Sequence, residues 1–290
     1  MSVTPRLEQA RALLGSYHGC DPKMCLEEPT PLPRWHSVVE CFEGARALLF
    51  PGYAGPPVAN EVEIAGRLDT LAARLVIEIT AALRRRLPAG DARKEAEAIV
   101  ERFLGGLPTL RAQLASDVDA AYEGDPAAIG TDEVLLCYPG VYALTAYRVA
   151  HALLADGVPI LPRMITEHAH RLTGIDIHPG ATIGRGFFLD HGTGTVIGET
   201  CVIGDRVRIY QGVTLGALSL PRGKAHGQVV SRKRHPTIED DVIIYANATI
   251  LGGDTIIGKG SVVGGNCWVT HSVPPGARVT VDGTTMLGPV

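Results

Sequence analysis

The sequence predicts an α+β fold, in which an all-α region is followed by a parallel β-helix. Apolar residues recur at helical spacing up to residue 174, and from residue 177 they recur every six residues. A six-residue repeat is typical of a parallel β-helix, because one repeat cannot bury its apolar side alone and coils must stack. We therefore expect a helical domain over 1–174, a β-helix domain over 175–277 and a tail over 278–290.

The helical domain shows several amphipathic stripes, which predict its helices. Such stripes occur at 36–49, 64–79, from 99, 108–118, 144–154 and 161–172. Pro108 is expected to start a helix, because proline is favoured in the first turn, and Gly174 is expected to end the last one. Residues 1–57 are otherwise hard to interpret, because prolines interrupt most of that segment.

The β-helix is predicted from the leading apolar residue of each repeat. These residues are Ile177, Ile183, Leu189, Ile197, Ile203, Ile209, Leu215, Ile238, Ile244, Ile250, Ile257, Val263 and Val269. Small or apolar residues recur four places later, so two side chains per repeat can point inward. Three repeats make one triangular coil, which rises about 4.8 Å at ordinary strand spacing. A sandwich of short strands would show alternation and hairpin turns, and the sequence has neither.

Composition argues against a nucleic-acid or membrane partner. The chain has 290 residues and a formal net charge of −4, which provides no attraction for polyanions. The basic run at 84–86 is interpreted as a solvated helix end. No apolar run approaches the roughly 18 residues of a membrane span, and charges are scattered through the first residues. We therefore expect a cytoplasmic protein.

The cysteines are interpreted as small buried residues in a reducing compartment. They lie at positions 20, 25, 41, 137, 201 and 267 and form no CxxC pair. Cys201 and Cys267 occupy inward positions of the repeat, where a thiol packs as a small hydrophobic group. Neither a disulfide nor a metal site is expected from them.

The repeat breaks where the chemically active residues lie. Two extra residues separate Leu189 from Ile197, so the loop that carries His191 should bulge toward solvent. A neutral imidazole suits general-base work near pH 7. Asp176, fifteen residues earlier, falls on the neighbouring coil, where a carboxylate could orient that imidazole. Spacing alone leaves this contact open, and the alternative for Asp176 is a purely structural corner.

Several motifs together resemble those of the serine O-acetyltransferases. They are IDIHPGATIGRGFFLDHGTGTVIGET (175–200), YQGVTLGA (210–217), RHPTI (234–238) and SVPPG (272–276), with GDPA (124–127) and LTAYRVAHALL (144–154) upstream. The resemblance covers roughly 120–277. It implies a left-handed β-helix that transfers an acetyl group from acetyl-CoA to the hydroxyl of L-serine, the first step of cysteine biosynthesis. It also implies that His191 is the base and Asp176 its partner.

The resemblance further implies the substrate-binding residues. Asp125 and Asp190 match the acidic residues that hold the ammonium group, and Arg234 and His235 match the residues on the carboxylate side. A guanidinium suits a carboxylate because it offers a bidentate fork. The structural alternatives are a helix or turn cap for Asp125 and a basic loop end for Arg234 and His235.

Acetyl-CoA is implied as co-substrate along the outside of the prism, where small residues let its pantetheine arm approach. The matching positions are Gly216, Ala217, Ala246 and Gly265. Glycine is also what a coil corner favours, so the alternative is structural. No metal is expected, because the spacings of His178, His191 and His235 do not match a known zinc arrangement of this fold.

Partners are also implied by the resemblance. The break over 218–237 predicts an extruded loop that covers a neighbouring subunit's site, and hence a homotrimer or a dimer of trimers. Cysteine, with the ammonium and carboxylate of serine, is expected to inhibit. Docking to O-acetylserine sulfhydrylase is not expected, because the chain lacks the family's C-terminal isoleucine. The alternatives are an acyltransferase for another amino acid or a sugar, and a non-catalytic β-helix scaffold.

Overall fold

The computed structural model of the chain describes residues 4–18, 32–218, 233–281 and 285–287. Its helices are α1 (Thr4–His18), α2 (Trp35–Leu49), α3 (Glu61–Leu83), α4 (Ala89–Gly124), α5 (Thr131–Cys137), α6 (Pro139–Ala155) and α7 (Leu161–Thr173). Local chemistry sets several of their ends: the side chain of Asn60 accepts the Glu63 N–H at the start of α3, and Gly174 ends α7 with φ +71°. Of the described helices, none has the length and apolar character needed to cross a membrane.

The prediction that Pro108 starts a helix is wrong, because Pro108 lies inside the 36-residue helix α4. Proline in a helix removes one hydrogen bond and crowds the preceding turn. The buried stripe continues across the proline from Phe103 to Leu110, so packing holds one long helix together.

The β-helix begins with β1 at Asp176. Its strands are β1 (Asp176–Ile177), β2 (Thr182–Ile183), β3 (Phe188–Leu189), β4 (Val196–Ile197), β5 (Val202–Ile203), β6 (Arg208–Ile209), β7 (Thr214–Gly216), β8 (Thr237–Ile238), β9 (Ile243–Ile244), β10 (Thr249–Leu251), β11 (Ile256–Ile257), β12 (Val262–Val263), β13 (Trp268–Val269), β14 (Ala277–Val279) and β15 (Thr285–Leu287).

These strands form the three faces of a triangular prism. The first sheet has the order β1-β4-β7-β10-β13, the second β11-β8-β5-β2, and the third β15-β14-β12-β9-β6-β3. Each strand pairs in parallel with the strand one coil away, except β15, which pairs antiparallel with β14. The predicted fold class is therefore confirmed. The third sheet continues past residue 277, into the segment predicted as tail.

The core of the prism consists of the residues that the repeat predicts. All thirteen leading residues are buried, with none more than 7% exposed. Cys201 and Cys267 are buried beside them, and Cys41 is buried among the helices. Cys137 differs from the prediction, because it is exposed at the end of α5. Cys20 and Cys25 lie outside the described residues.

Two edges of the prism matter for function. Edge A joins the third sheet to the first, and its corners are 190–195, 210–213, 245–248 and 264–267. Edge B joins the first sheet to the second, and its corners are 178–181, 198–201, 233–236 and 252–255. The predicted loop over 218–237 leaves and re-enters at edge B, and residues 219–232 lie outside the described residues.

A buried ion pair fastens the helices to the first coil. Arg148 of α6 donates from Nε to Asp117 of α4 at 2.6 Å, and the two side chains are 2% and 3% exposed. The guanidinium also donates to the Gly184 carbonyl oxygen at 2.7 Å, and the Asp117 carboxylate accepts the Phe187 N–H at 3.0 Å. These contacts fix the position of α4 against the coil, and with it the residue that follows α4.

Candidate functional site

His191 stands at edge A in the corner that has two extra residues. Its side chain is 72% exposed, and its Nε2 lies 3.8 Å from Oδ1 of Asp190. The backbone of His191 is left-handed, with φ +55°, and Gly192 follows with φ +78°. A Cβ on Gly192 would lie only 2.6 Å from Cδ1 of Ile175, so the turn needs glycine there. The predicted bulge of this loop toward solvent is confirmed.

Two carboxylates accompany this imidazole. Burial raises the pKa of Asp190, although the neighbouring His191 works in the opposite direction. The pKa of Asp125 is lowered, mainly because the Tyr138 hydroxyl donates to its Oδ2. His191 contributes to the ionisation of both carboxyls. Asp125, Asp190 and His191 therefore form one electrostatic cluster.

Asp125 also performs the capping role that was its structural alternative. It follows the last residue of α4, and its Oδ1 accepts the Ala127 N–H at 2.8 Å. Its Oδ2 accepts from Tyr138 instead. One oxygen thus fixes the turn and the other is held toward the cluster, so the two interpretations do not exclude each other.

Two glycines allow the helices to approach this cluster. A Cβ on Gly124 would lie 2.6 Å from the Phe188 ring and from Nη2 of Arg208. A Cβ on Gly140 would collide with the carbonyl oxygen of Leu189. Phe188 and Leu189 directly precede Asp190, and Arg208 lies on the next coil. The missing side chains therefore set the distance between Asp125 and edge A.

Gly124→Ala is expected to lower the free energy of unfolding by about 1–3 kcal/mol, as overpacking does in a well-packed core. The added methyl group meets the rigid Phe188 ring, which cannot move without disturbing the first coil. Chemical denaturation measures the change. Gly66→Ala is the matched control, because Gly66 lies in α3 with open space around it, and alanine there is expected to stabilise. A Gly124→Ala protein as stable as the parent would contradict the close approach.

Asp176 is not brought into contact with His191 in this structure. Its Oδ1 lies 3.6 Å from Nη1 of Arg163 in α7, and no ion pair joins it to His191 among the described residues. Arg163 is the partner that the sequence did not indicate, because it belongs to a helix that folds back over β1. The orienting role of Asp176 toward His191 stays a prediction.

The same carboxylate belongs to a group with the composition of a metal site. Potential ligand atoms of Glu167, His170 and Asp176 lie within 4.8 Å of one another. Arg163 forms ion pairs with both carboxylates of the group, which offsets part of their charge. The prediction that the protein uses no metal stays a prediction.

The other predicted substrate residues lie at edge B. Nδ1 of His235 accepts the Thr200 N–H at 3.0 Å, so the ring proton of the neutral imidazole is on Nε2. Burial, followed by the nearby Arg234, lowers the pKa of His235 to about 4. Its ring fills the space that a side chain on Gly198 would need. His235 is thus a neutral hydrogen-bond donor at pH 7.

Arg234 is held by an acidic residue that the motif contained but the sequence did not assign. Its guanidinium donates to Oε2 of Glu199. Burial opposes ionisation of Glu199, but the hydrogen bond from Arg234 overcomes it, and the pKa of Glu199 is lowered. The corner is completed by His178, whose Nδ1 accepts the Gly180 N–H at 3.0 Å. His178 therefore braces this corner of the coil.

The four residues predicted to contact the cofactor divide between the two edges. Gly216 ends β7 at edge B with Ala217 after it, and a Cβ on Gly216 would lie 2.8 Å from Cδ2 of Leu251. Ala246 and Gly265 lie together at edge A, where a Cβ on Gly265 would lie 3.2 Å from the Ala246 carbonyl oxygen. Each edge thus carries one pair of small residues.

Within one chain, the predicted site is split by a whole face of the prism. The acid–base cluster lies at edge A, whereas Arg234 and His235 lie at edge B, on the far side of the first sheet. Tyr138, Glu199 and Thr200 hold these two halves in place, and no sequence motif assigned a role to any of them. The edge on which each residue lies is determined by how the repeats stack into coils. For Arg234 and His235 this depends on where the chain re-enters the prism after residue 232.

Comparisons with known proteins point to one family. No protein-family model matches the chain. It is 46% identical over 263 residues to the plasmid serine acetyltransferase of Synechococcus elongatus, covering 86% of this chain and 82% of that protein. It is similar to the crystal structure of Entamoeba histolytica serine acetyltransferase 1 in complex with L-cysteine, with a TM-score of 0.73, 34% identity and coverage of 93% and 96%. It is also similar to Neisseria gonorrhoeae serine acetyltransferase in complex with serine, with a TM-score of 0.56, 32% identity and coverage of 85% and 94%.

Proposed function

The chain belongs to the serine acetyltransferase family, and from this premise we propose how its residues transfer the acetyl group of acetyl-CoA to L-serine. The products are O-acetylserine and CoA, and the reaction is the first step of cysteine biosynthesis. The observation that carries the proposal is the exposed imidazole of His191, held in a left-handed turn beside two carboxylates. Such a group is free to meet a substrate hydroxyl from solvent.

His191 acts as the general base. A ring nitrogen takes the proton of the serine hydroxyl while the oxygen attacks the thioester carbonyl. The C–S bond then breaks, the electron pair leaves on sulfur, and the imidazolium returns the proton to the CoA thiolate. Asp176 is proposed to orient the ring once substrate is bound, which requires its carboxylate to exchange Arg163 for His191.

Serine recognition divides between the two clusters. Asp125 and Asp190 hold the ammonium group, and the lowered pKa of Asp125 keeps that carboxylate ionised. Arg234 binds the substrate carboxylate by charge, and the neutral His235 donates to it from Nε2. A bound ammonium would also favour the ionised form of Asp190, which burial disfavours in the free protein.

The site is complete only between two subunits. Three chains packed around a threefold axis, with the first sheet facing that axis, bring edge A of one chain to edge B of the next. Trp268 and Val196 lie on this sheet and are 70% and 37% exposed, which supports an interface there. Acetyl-CoA would lie in the groove between the edges, against Gly216 and Ala217 of one chain and Ala246 and Gly265 of the other. We propose a homotrimer, which the helices could join into a dimer of trimers.

Cysteine is proposed to inhibit by occupying the serine site. The Entamoeba relative is described in complex with L-cysteine, and cysteine offers the same ammonium and carboxylate as serine. Competition against serine in a titration supports this, and no effect at millimolar cysteine removes it. A cytoplasmic setting and the absence of docking to O-acetylserine sulfhydrylase stay predictions.

The experiment that tests the function measures CoA release by purified protein from acetyl-CoA and L-serine. Homoserine, threonine and a sugar panel are offered in parallel. A preference for L-serine supports the proposal. Turnover only with another acceptor would overturn the substrate but keep the acyl transfer, and no turnover with any acceptor would favour the scaffold alternative.

Subunit complementation tests where the site lies. At a serine concentration far below KM, His191→Asn and His235→Asn proteins are each expected to have little activity, the first because it lacks the base and the second because it binds serine weakly. Mixing them in equal amounts through denaturation and refolding should restore about a quarter of parental activity, because a quarter of random neighbour pairs combine two intact halves. Each variant refolded alone is the control. No recovery in a mixture that refolds to trimers would place the whole site within one chain.

A further inference from the structure

One threonine at edge B contacts both residues proposed to bind the substrate carboxylate. Oγ1 of Thr200 accepts the backbone N–H of Arg234 at 2.9 Å and that of His235 at 3.0 Å. The backbone N–H of Thr200 donates to Nδ1 of His235 at 3.0 Å. Thr200 comes from the coil below, so one residue fixes two consecutive residues of another coil.

Thr200 holds a short segment of the next coil, residues 233–236. Residues 233–236 re-enter the prism after the long loop and before β8. They run between two close surfaces, because a Cβ on Gly198 would strike the His235 ring and a Cβ on Gly253 would strike the Lys233 backbone. Lys233 also donates from Nζ to the Thr200 carbonyl oxygen at 2.9 Å. Thr200 thus receives or makes most of the directional contacts that join this segment to the coil below, the others being the Arg234–Glu199 pair and the Val202 N–H donated to the Pro236 carbonyl oxygen.

We infer that Thr200 is a positioning residue for the acceptor carboxylate: its hydroxyl sets the register of Arg234 and His235, and its N–H sets the tautomer of His235. This inference rests on the proposed function. The hydroxyl accepts two N–H groups that a valine in the same shape would leave without acceptors. The two N–H groups would then seek water or another acceptor, and the segment would shift along the coil.

The shift has a specific consequence for catalysis. Arg234 and His235 are proposed to touch the substrate carboxylate but not the reacting hydroxyl or thioester. Losing their register should weaken the binding of serine in the ground state and the transition state alike, which raises KM and leaves kcat nearly unchanged. Acetyl-CoA kinetics should change little, because Thr200 contacts none of the residues proposed to bind it.

The test compares Thr200→Val with Thr200→Ser. Valine is expected to raise KM for L-serine about tenfold or more, which corresponds to losing the acceptor of one or two buried N–H groups. Serine keeps the hydroxyl and should restore KM to within about threefold of the parent. Thr255→Val is the matched control, because Thr255 is a buried threonine of the same edge whose hydroxyl donates to the Leu251 carbonyl oxygen at 2.7 Å and accepts neither the Arg234 nor the His235 N–H.

A substrate analogue separates positioning from general damage. L-Serine methyl ester keeps the ammonium and hydroxyl but has no carboxylate charge, so its KM should be nearly the same in Thr200→Val and the parent. An equal rise in KM for serine and for its ester would overturn the inference, as would an unchanged KM for serine. If the valine variant does not fold, Thr200→Ala carries the same comparison, because alanine adds no atom to the corner.

The outcomes also distinguish this inference from the proposed function. Absence of turnover in the parent protein would defeat the function itself. Turnover in the parent, with a raised serine KM in Arg234→Lys but not in Thr200→Val, would keep the carboxylate site and overturn only the role of Thr200. A raised KM in both variants, rescued by Thr200→Ser, supports the inference.

Discussion

His191→Asn will lower kcat by about 10²–10⁴, the contribution typical of a positioned general base. Asparagine cannot take the hydroxyl proton, whereas the fold should persist for a local reason. The backbone of residue 191 has φ +55°, and asparagine is one of the residues that tolerates this conformation. The measurement is the rate of CoA release at saturating serine and acetyl-CoA, together with a thermal melt of each protein.

A second histidine provides the control for this result. His36→Asn changes an exposed imidazole of α2, whose side chain is 90% exposed, and should leave kcat unchanged. A loss of activity in both variants would point to a preparation effect. Retention of full activity in His191→Asn would remove the general base from the mechanism, and Asp190 or Asp125 would then be the next group to test.

Asp117→Asn will lower the free energy of unfolding by about 3–5 kcal/mol, which is the cost of removing the charge of one partner in a buried ion pair. Arg148 would keep its charge in a site where it is 2% exposed. The amide would also have to replace a carboxylate that accepts from Nε and Nη2 of Arg148 and from the Phe187 N–H. Denaturation by urea, followed by circular dichroism, measures the change.

The surface of the β-helix supplies a matched exchange. Asp241→Asn breaks a pair with Arg206 that has two hydrogen bonds but lies at the surface, where the side chains are 59% and 37% exposed. Exposed pairs contribute about 0–1 kcal/mol. A similar loss in both variants would mean that burial does not set the value of the Asp117–Arg148 pair, and that the helices are held to the first coil by other contacts.

The repeat predicted the buried residues of the β-helix one by one, because the inward-pointing residues of a coil recur at a fixed spacing that can be read directly from the sequence. Ile177 and Val269, at opposite ends of the prism, both point into the core as expected. Helix boundaries were less predictable. Pro108 is a strong signal for a helix start, but the apolar residues on both sides of it belong to one buried core, and their packing outweighs the lost hydrogen bond.

The candidate site was predictable in its residues and less so in its geometry. His191 could be predicted as exposed, because the break in the repeat forces its loop outward. The partner of Asp176 could not, since Arg163 approaches from a helix whose position over β1 depends on tertiary packing. The contacts of Thr200 could not be predicted for a similar reason, because they join residues 35 positions apart in the sequence.

The missing side chain at Gly198 has a consequence for how this family's sequences vary. The His235 ring occupies the space that any side chain at position 198 would need. A side chain at 198 and a histidine at 235 therefore exclude each other. A lineage that acquires a larger residue at 198 must lose the histidine. It then also loses the N–H donor proposed to bind the carboxylate of the acetyl-accepting substrate. The glycine and the histidine should therefore be inherited as a pair, and their joint loss would mark descendants that have changed their acceptor.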